Sequence, residues 1–255
     1  MKIIESINNK FIHEVAKLHL AKERKKQERF VVEGVRAVTS FIENGYNPSD
    51  CYVTEYILKE IQADSLNPLN QVELTLVTFD IMEKISNATH QSGILAVFKQ
   101  VENPQAALLS SGLVLVNVTD PGNMGTLIRS AASFNYKSVV IVGGCDPFSP
   151  KVIQASAGAL PLVNLFQWSW QELLENKKSI KLCALVLDSN NSLKTLDAST
   201  TLFVVGNEAN GLAQDHIDQC DTTCTIPMPG NTESLNAAVA GSIVLAFAYF
   251  NPSSH

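Results

Sequence analysis

From residue 113 onward the chain repeats one arrangement, a short and almost unbroken apolar run followed by a longer amphipathic stretch. The runs are LVLVNV (113–118), SVVIVG (138–143), KLCALVL (181–187) and TLFVVG (201–206). Continuous rather than alternating apolarity predicts strands buried on both faces, as in a parallel sheet covered by helices. The first hundred residues follow another rhythm. A helical pattern from about Asn9 to Lys26 precedes shorter β-rich runs, RFVVEG, CYVTEY, VELTLV and ILAVF, with helical stretches between them. Polar KQVENPQ, residues 99–105, separates the two rhythms. The pattern predicts an α/β protein in two parts: a smaller mixed α/β domain over 1–98, a linker over 99–105 and a parallel-sheet domain over 106–255.

A chain of 255 residues with 45% hydrophobic content can bury a sizeable core in each part. Charges scattered through MKIIESINNKFIHE leave no apolar core of signal-peptide type, so a cytoplasmic location is expected. The most apolar run, Ala237 to Phe250, is interrupted by Gly241 and Ser242. It is shorter than the roughly 20 residues that span a bilayer, so it predicts a buried helix, in a core or in a subunit interface, and no membrane. The five cysteines are dispersed and odd in number, which suits reduced thiols rather than disulfides. Cys220 and Cys224 are the nearest pair, and without a second pair or a nearby His they do not make a zinc site.

A net charge of −6 argues at first against nucleic acid. Its distribution changes that reading. Nine of the 19 Lys and Arg but only five of the 25 Asp and Glu fall within residues 1–40, so the basic charge gathers at one end. Lys22, Arg24, Lys25, Lys26 and Arg29 are candidate phosphate contacts, although a charge run also suits a solvated helix face.

In open parallel sheets ligands sit beyond the carboxyl ends of the strands. Three loops there are unusual. In TDPGNMGTLIRSAASF (119–134), Asn123 stands at a helix entrance and Arg129 about one and a half turns further in. Arg129 is the only arginine after Arg36, and its neighbours Ile128, Ala131 and Ala132 predict a partly enclosed guanidinium that needs an anionic or hydroxyl partner. In VVGNEANGL (204–212), an apolar strand runs into Gly206, Asn207 and Glu208; the two glycines permit a tight turn or close approach to a ligand. Leu212 and Ala213 after Gly211 exclude a Walker cradle, and the chain has no G-x-G-x-x-G, which weighs against a nicotinamide dehydrogenase. In TIPMPGNTESLNAAVAGSIVLAF (225–247), a short strand to Ile226 and a Pro-Met-Pro-Gly bend precede Ser234, the expected N-cap of a helix from Leu235. Asn236 at a helix start is not explained by helix propensity.

These three segments in this order, with FSPKVIQASAGAL (148–160), resemble the SpoU/TrmH family of RNA ribose 2′-O-methyltransferases, a branch of the trefoil-knotted SPOUT class. The resemblance covers roughly 105–250, and ERFVVEGVRAV looks like that family's ribosomal-protein-like substrate-binding domain. It implies a deep trefoil knot, S-adenosylmethionine as methyl donor, a homodimer that completes the site, and structured RNA as substrate, ribosomal before transfer RNA, with no metal. Asn123, Arg129, Glu208, Ser234 and Asn236 match the polar positions of its motifs, and Gly206, Asn207, Ile226, Met228, Gly230 and Leu235 fall where the donor is held. Gln154, where a basic residue is frequent, and Ala237-Ala238, in place of a more usual Val-Ser, are departures that concern substrate contacts.

The family proposal makes Arg129 the proton acceptor. An arginine pKa above about 12 leaves almost no neutral base near neutral pH. The expectation here is that Arg129 holds an RNA phosphate and stabilises developing alkoxide charge, while water or a neighbouring group takes the proton. The alternative function is a non-catalytic RNA-binding or ribosome-assembly factor that keeps the fold.

Overall fold

The two hydropathy rhythms correspond to two sheets. A computed structural model describes residues 2–88, 91–188, 197–230 and 232–251. The chain divides into two compact units, Met1–Val101 with Phe148–Pro161, and Glu102–Pro147 with Leu162–His255.

The first unit contains β1 (Lys2–Ile4), β2 (Arg29–Glu33), β3 (Asp50–Val53), β4 (Leu74–Val77) and β5 (Ile94–Lys99). They form one sheet in the order β1-β4-β3-β5-β2. β4 runs parallel to β1 and β3, while β5 is antiparallel to β2 and β3. The carboxyl ends of β1 to β4 therefore share one edge. Phe30, Phe41, Phe98 and Phe148 cluster in the core, with Phe30 and Phe148 ring centroids 4.8 Å apart. Residues 148–161 pack here for that reason, and the Ser40 hydroxyl donates to the Gly158 carbonyl at 2.7 Å.

The expected single helix over Asn9–Lys26 is two, Lys10–Lys17 and Ala21–Gln27. The break at 18–20 buries Leu18 and brings the Arg24 guanidinium back onto the carbonyls of Leu18 and His19, both at 2.9 Å. Those carbonyls belong to the end of the first helix, where helical partners run out. Arg24 is thus a buried cap and not an open phosphate contact, which corrects that reading of its charge. Lys22, Lys25 and Lys26 are exposed, and the half-buried Arg29 pairs with Asp50 at 3.7 Å. Replacing Lys25 and Lys26 with Ala should leave the thermal midpoint within experimental error of the wild type, because both side chains are exposed. Arg24→Met should instead lower the thermal midpoint, because it strands buried carbonyls at a cost of about 1–3 kcal/mol.

The second unit carries β6 (Gly112–Val116), β7 (Ser138–Val142), β8 (Asn164–Gln167), β9 (Lys181–Leu185), β10 (Thr201–Val205) and β11 (Thr222–Cys224). All pairings are parallel, in the order β11-β9-β10-β6-β7-β8. The strand order reverses between β6 and β10, so the loops that leave these two strands diverge at a switch point, the usual ligand crevice of an open parallel sheet.

Two helices frame that crevice, Pro121–Ser133 and Ala237–Phe250. They approach closely because position 241 is glycine: a Cβ there would lie 2.4 Å from Leu127 Cδ2. The Ser130 and Ser242 hydroxyls also meet at 2.7 Å. Ala237–Phe250 buries Ala238, Gly241, Val244, Leu245 and Ala248 and leaves Val239, Ile243, Tyr249 and Phe250 exposed. No helix of the described residues is long and apolar enough to cross a membrane.

Candidate active site

The helix after β6 begins earlier than its hydropathy suggests. Asp120 is its N-cap and accepts from the Asn123 amide N–H at 2.8 Å, and Pro121 occupies the first turn, where a missing N–H is harmless. This turn carries two backbone donors and the Asn123 side chain toward the loop after β10.

Glu208, from that second loop, receives all of them. Its Oε1 accepts from the Asp120 N–H at 3.1 Å and from Asn123 Nδ2 at 3.0 Å. Its Oε2 accepts from the Thr119 N–H at 3.2 Å, the Thr119 hydroxyl at 3.1 Å and Asn207 Nδ2 at 3.4 Å. Partial burial pushes the Glu208 carboxyl up, but Asn123 and the N–H groups of Glu208, Thr119 and Asp120 outweigh it and hold the pKa at about 2. The group is a permanent anion at neutral pH, and its task here is to tie two loops together rather than to move protons.

The third loop joins through Asn236, whose Nδ2 donates to Asn123 Oδ1 at 3.0 Å. The Asn236 Oδ1 accepts from the N–H groups of Ala238 and Val239, so Asn236, not Ser234, caps the last helix, which starts at Ala237 rather than Leu235. Asn is as good an N-cap as Ser, and this explains a residue that propensity left unexplained. Glu208, Asn123 and Asn236 thus form one hydrogen-bonded relay across three segments far apart in sequence.

Beside the relay lies a cleft of about 430 Å³, within the usual range for small-molecule sites. Gly206, Asn207, Glu208, Ile226, Met228, Ser234 and Leu235 all line it. Exposed Gly230 is outside the lining. The floor depends on Gly206, because a Cβ there would sit 2.3 Å from the carbonyl carbon of Gly211, backbone that cannot yield. Asn207 and Gly211 close the same loop by exchanging hydrogen bonds of 3.0 and 2.9 Å. Gly206→Ala should therefore displace Asn207 and Glu208 and lower stability by about 1–3 kcal/mol, as the thermal midpoint in calorimetry would read it; an unchanged midpoint would contradict this packing of the cleft floor.

Arg129 lies six residues beyond Asn123, about 9 Å further along the helix axis. It is exposed rather than enclosed, and it has no hydrogen-bond or ion-pair partner among the described residues. The three loops converge without it in the single chain. Thr119 was not legible as a site residue: it carries no charge and no telling spacing, yet it gives Glu208 two of its donors. Its one sequence signal is its place in the short turn between β6 and the helix capped by Asp120, where loop residues face the crevice.

Residues 110–246 match the model of the SpoU rRNA methylase family, and residues 9–96 match an MRM3-like substrate binding domain. An uncharacterised tRNA/rRNA methyltransferase from Synechocystis sp. is 30% identical, with 95% of this chain and 91% of that protein covered. The 23S rRNA (guanosine(2553)-2′-O)-methyltransferase RlmP of Bacillus subtilis is 27% identical over 96% of this chain and 98% of its own length. An AdoMet-bound rRNA methyltransferase from Sinorhizobium meliloti shares the fold, with a TM-score of 0.86 at 22% identity and 99% of both chains covered. With its crevice loops, more than half of its length and a near full-length relative all in agreement, the chain belongs to the SpoU rRNA methylase family.

Proposed function

We propose that this chain transfers a methyl group from S-adenosylmethionine to a ribose 2′-hydroxyl of structured RNA, ribosomal RNA before transfer RNA, in the cytoplasm. The observation that carries the reading is the Glu208–Asn123–Asn236 relay beside a cleft of donor size. The cleft suits such a donor: Ile226, Met228 and Leu235 offer apolar wall, and Gly206 lets the floor loop close against the backbone of Gly211.

The bound sulfonium would supply an activated methyl group. The chain's own residues act on the ribose. A hydroxyl is a weak nucleophile, and its proton must leave as oxygen bonds to carbon. The Arg129 guanidinium holds an RNA phosphate and offers N–H groups to the developing alkoxide, while water carries the proton away. Glu208 fixes Asn123, and Asn123 with Asn236 and Ser234 orients the ribose. The exposed lysines 22, 25 and 26 contribute phosphate contacts from the substrate-binding domain.

The same reading includes a homodimer and a deep trefoil knot in the second unit. Exposed Val239, Ile243, Tyr249 and Phe250 on the last helix support pairing of two copies, which also provides surroundings for Arg129. Sedimentation velocity tests the dimer: a two-copy species that Ile243→Asp dissociates is expected, and a monomer at every concentration would rule it out.

Two measurements test the activity. Equilibrium dialysis should give saturable binding of labelled S-adenosylmethionine, and ribose-methylation mapping of a deletion strain should reveal one or a few unmethylated ribosomal nucleotides. Absence of donor binding even with RNA present would favour a non-catalytic RNA-binding or assembly factor.

A further inference from the structure

The substrate-binding unit has a cavity of its own, about 700 Å³, at the shared carboxyl edge of β1, β3 and β4. Its floor is aliphatic, with Ile3, Ile57 and Leu76, and two aromatic side chains stand at it almost uncovered, Tyr56 at 70% and Phe79 at 64% exposure. Two exposed rings lining one cavity leave apolar surface open to a ligand.

The polar groups lining the cavity are unbalanced. Glu5 and Glu55 contribute carboxylates, that of Glu55 paired with Lys59 at 2.7 Å, and no Lys or Arg is among the lining residues. The oxygen of Gln91, also in the lining, is shut off from solvent and has no hydrogen-bond partner among the described residues. An acceptor left in that state favours any rearrangement that brings it a donor. The cavity therefore offers stacking surfaces and acceptors, and its lining residues carry no cation.

Resting on the reading of this chain as an RNA methyltransferase, we propose that this cavity is a recognition subsite for an unstacked guanine of the RNA substrate, distinct from the nucleotide that is methylated. Bases splayed out of RNA are held by stacking on aromatic rings and by hydrogen bonds to their edges. Guanine presents two adjacent donors on its Watson–Crick edge, which matches carboxylates and a carboxamide oxygen.

The test uses the full chain and an unmodified large-subunit ribosomal RNA transcript, with affinity read by fluorescence anisotropy. Tyr56→Ala with Phe79→Ala should weaken RNA binding about tenfold or more, the range for loss of base stacking. Because both rings are exposed, the thermal midpoint and S-adenosylmethionine affinity should not move. A transcript carrying 6-thioguanosine should photocrosslink to the peptides holding Tyr56 or Phe79. Unaltered RNA affinity together with crosslinks elsewhere would overturn the subsite. So would loss of binding to ribosomal particles with free-RNA affinity intact, which would assign the cavity to a protein. Binding is read without turnover, so failure of methyl transfer in the wild-type chain would count against the enzymatic reading and leave this outcome separate.

Discussion

Arg129→Ala should lower the methyl-transfer rate in saturating RNA by about a hundredfold to a thousandfold, the loss typical when one preorganised donor to a developing oxyanion is removed. The guanidinium is exposed and unpartnered among the described residues, so the thermal midpoint should stay within experimental error of the wild type. Arg129→Lys separates two versions of the role. If a point charge suffices, appreciable turnover survives; if the planar two-pronged geometry is required, lysine is as poor as alanine. A near wild-type rate for the alanine variant would remove Arg129 from the mechanism altogether.

Glu208→Gln should be the second large effect, and by a different route. The carboxylate accepts from Thr119, Asp120, Asn123 and Asn207 at once. An amide offers one oxygen and turns an NH₂ group toward donors, so part of the set is left facing a donor. Turnover should fall roughly tenfold to a hundredfold, since charge-assisted bonds of this kind are each worth about 1.5–3 kcal/mol. Glu208 is a depressed acid, lowered from 4.5 to about 2. Its stabilising contribution is therefore complete above pH 4.5 and is lost as pH falls toward about 2. The midpoint difference between wild type and Glu208→Gln should be constant from pH 5 to 8 and shrink below pH 4.5. In the same neutral window, the pH dependence of turnover should carry no limb from Glu208.

The parts of this molecule legible in sequence are those that burial dictates over several residues. Strands β6, β7, β9 and β10 sit under apolar runs that could not face water on either side, and their carboxyl ends locate the crevice loops directly. Strands β1 and β8 are short, at three and four residues, and their runs fall below any clear period. The break between the first two helices has no Gly or Pro to mark it. It depends on Arg24 reaching carbonyls that sequence cannot place, so a charge that reads as an RNA contact turns out to be structural.

The site shows the same division. Asn123, Glu208 and Asn236 stand out as polar residues next to strand ends and helix starts, and tertiary geometry joins them. Which polar residue caps the last helix depends on where that helix begins, a matter of one or two residues that propensity does not resolve between Ser234 and Asn236. Thr119 acts through one backbone and one hydroxyl donor, and the membership of 148–161 in the first unit rests on tertiary contacts, among them Phe148 on Phe30 and the Ser40 hydroxyl on Gly158. Neither leaves a mark in composition or spacing.

The central claim is that the crevice loops bring a ribose hydroxyl to a bound methyl donor. Nucleoside analysis tests it most directly: incubate the chain with methyl-labelled S-adenosylmethionine and unmethylated ribosomal RNA, digest to nucleosides and identify the labelled species by mass spectrometry. The account predicts label in a 2′-O-methylated nucleoside, lost with Arg129→Ala. Label on a nucleobase, or none on any RNA despite saturable donor binding, would contradict it.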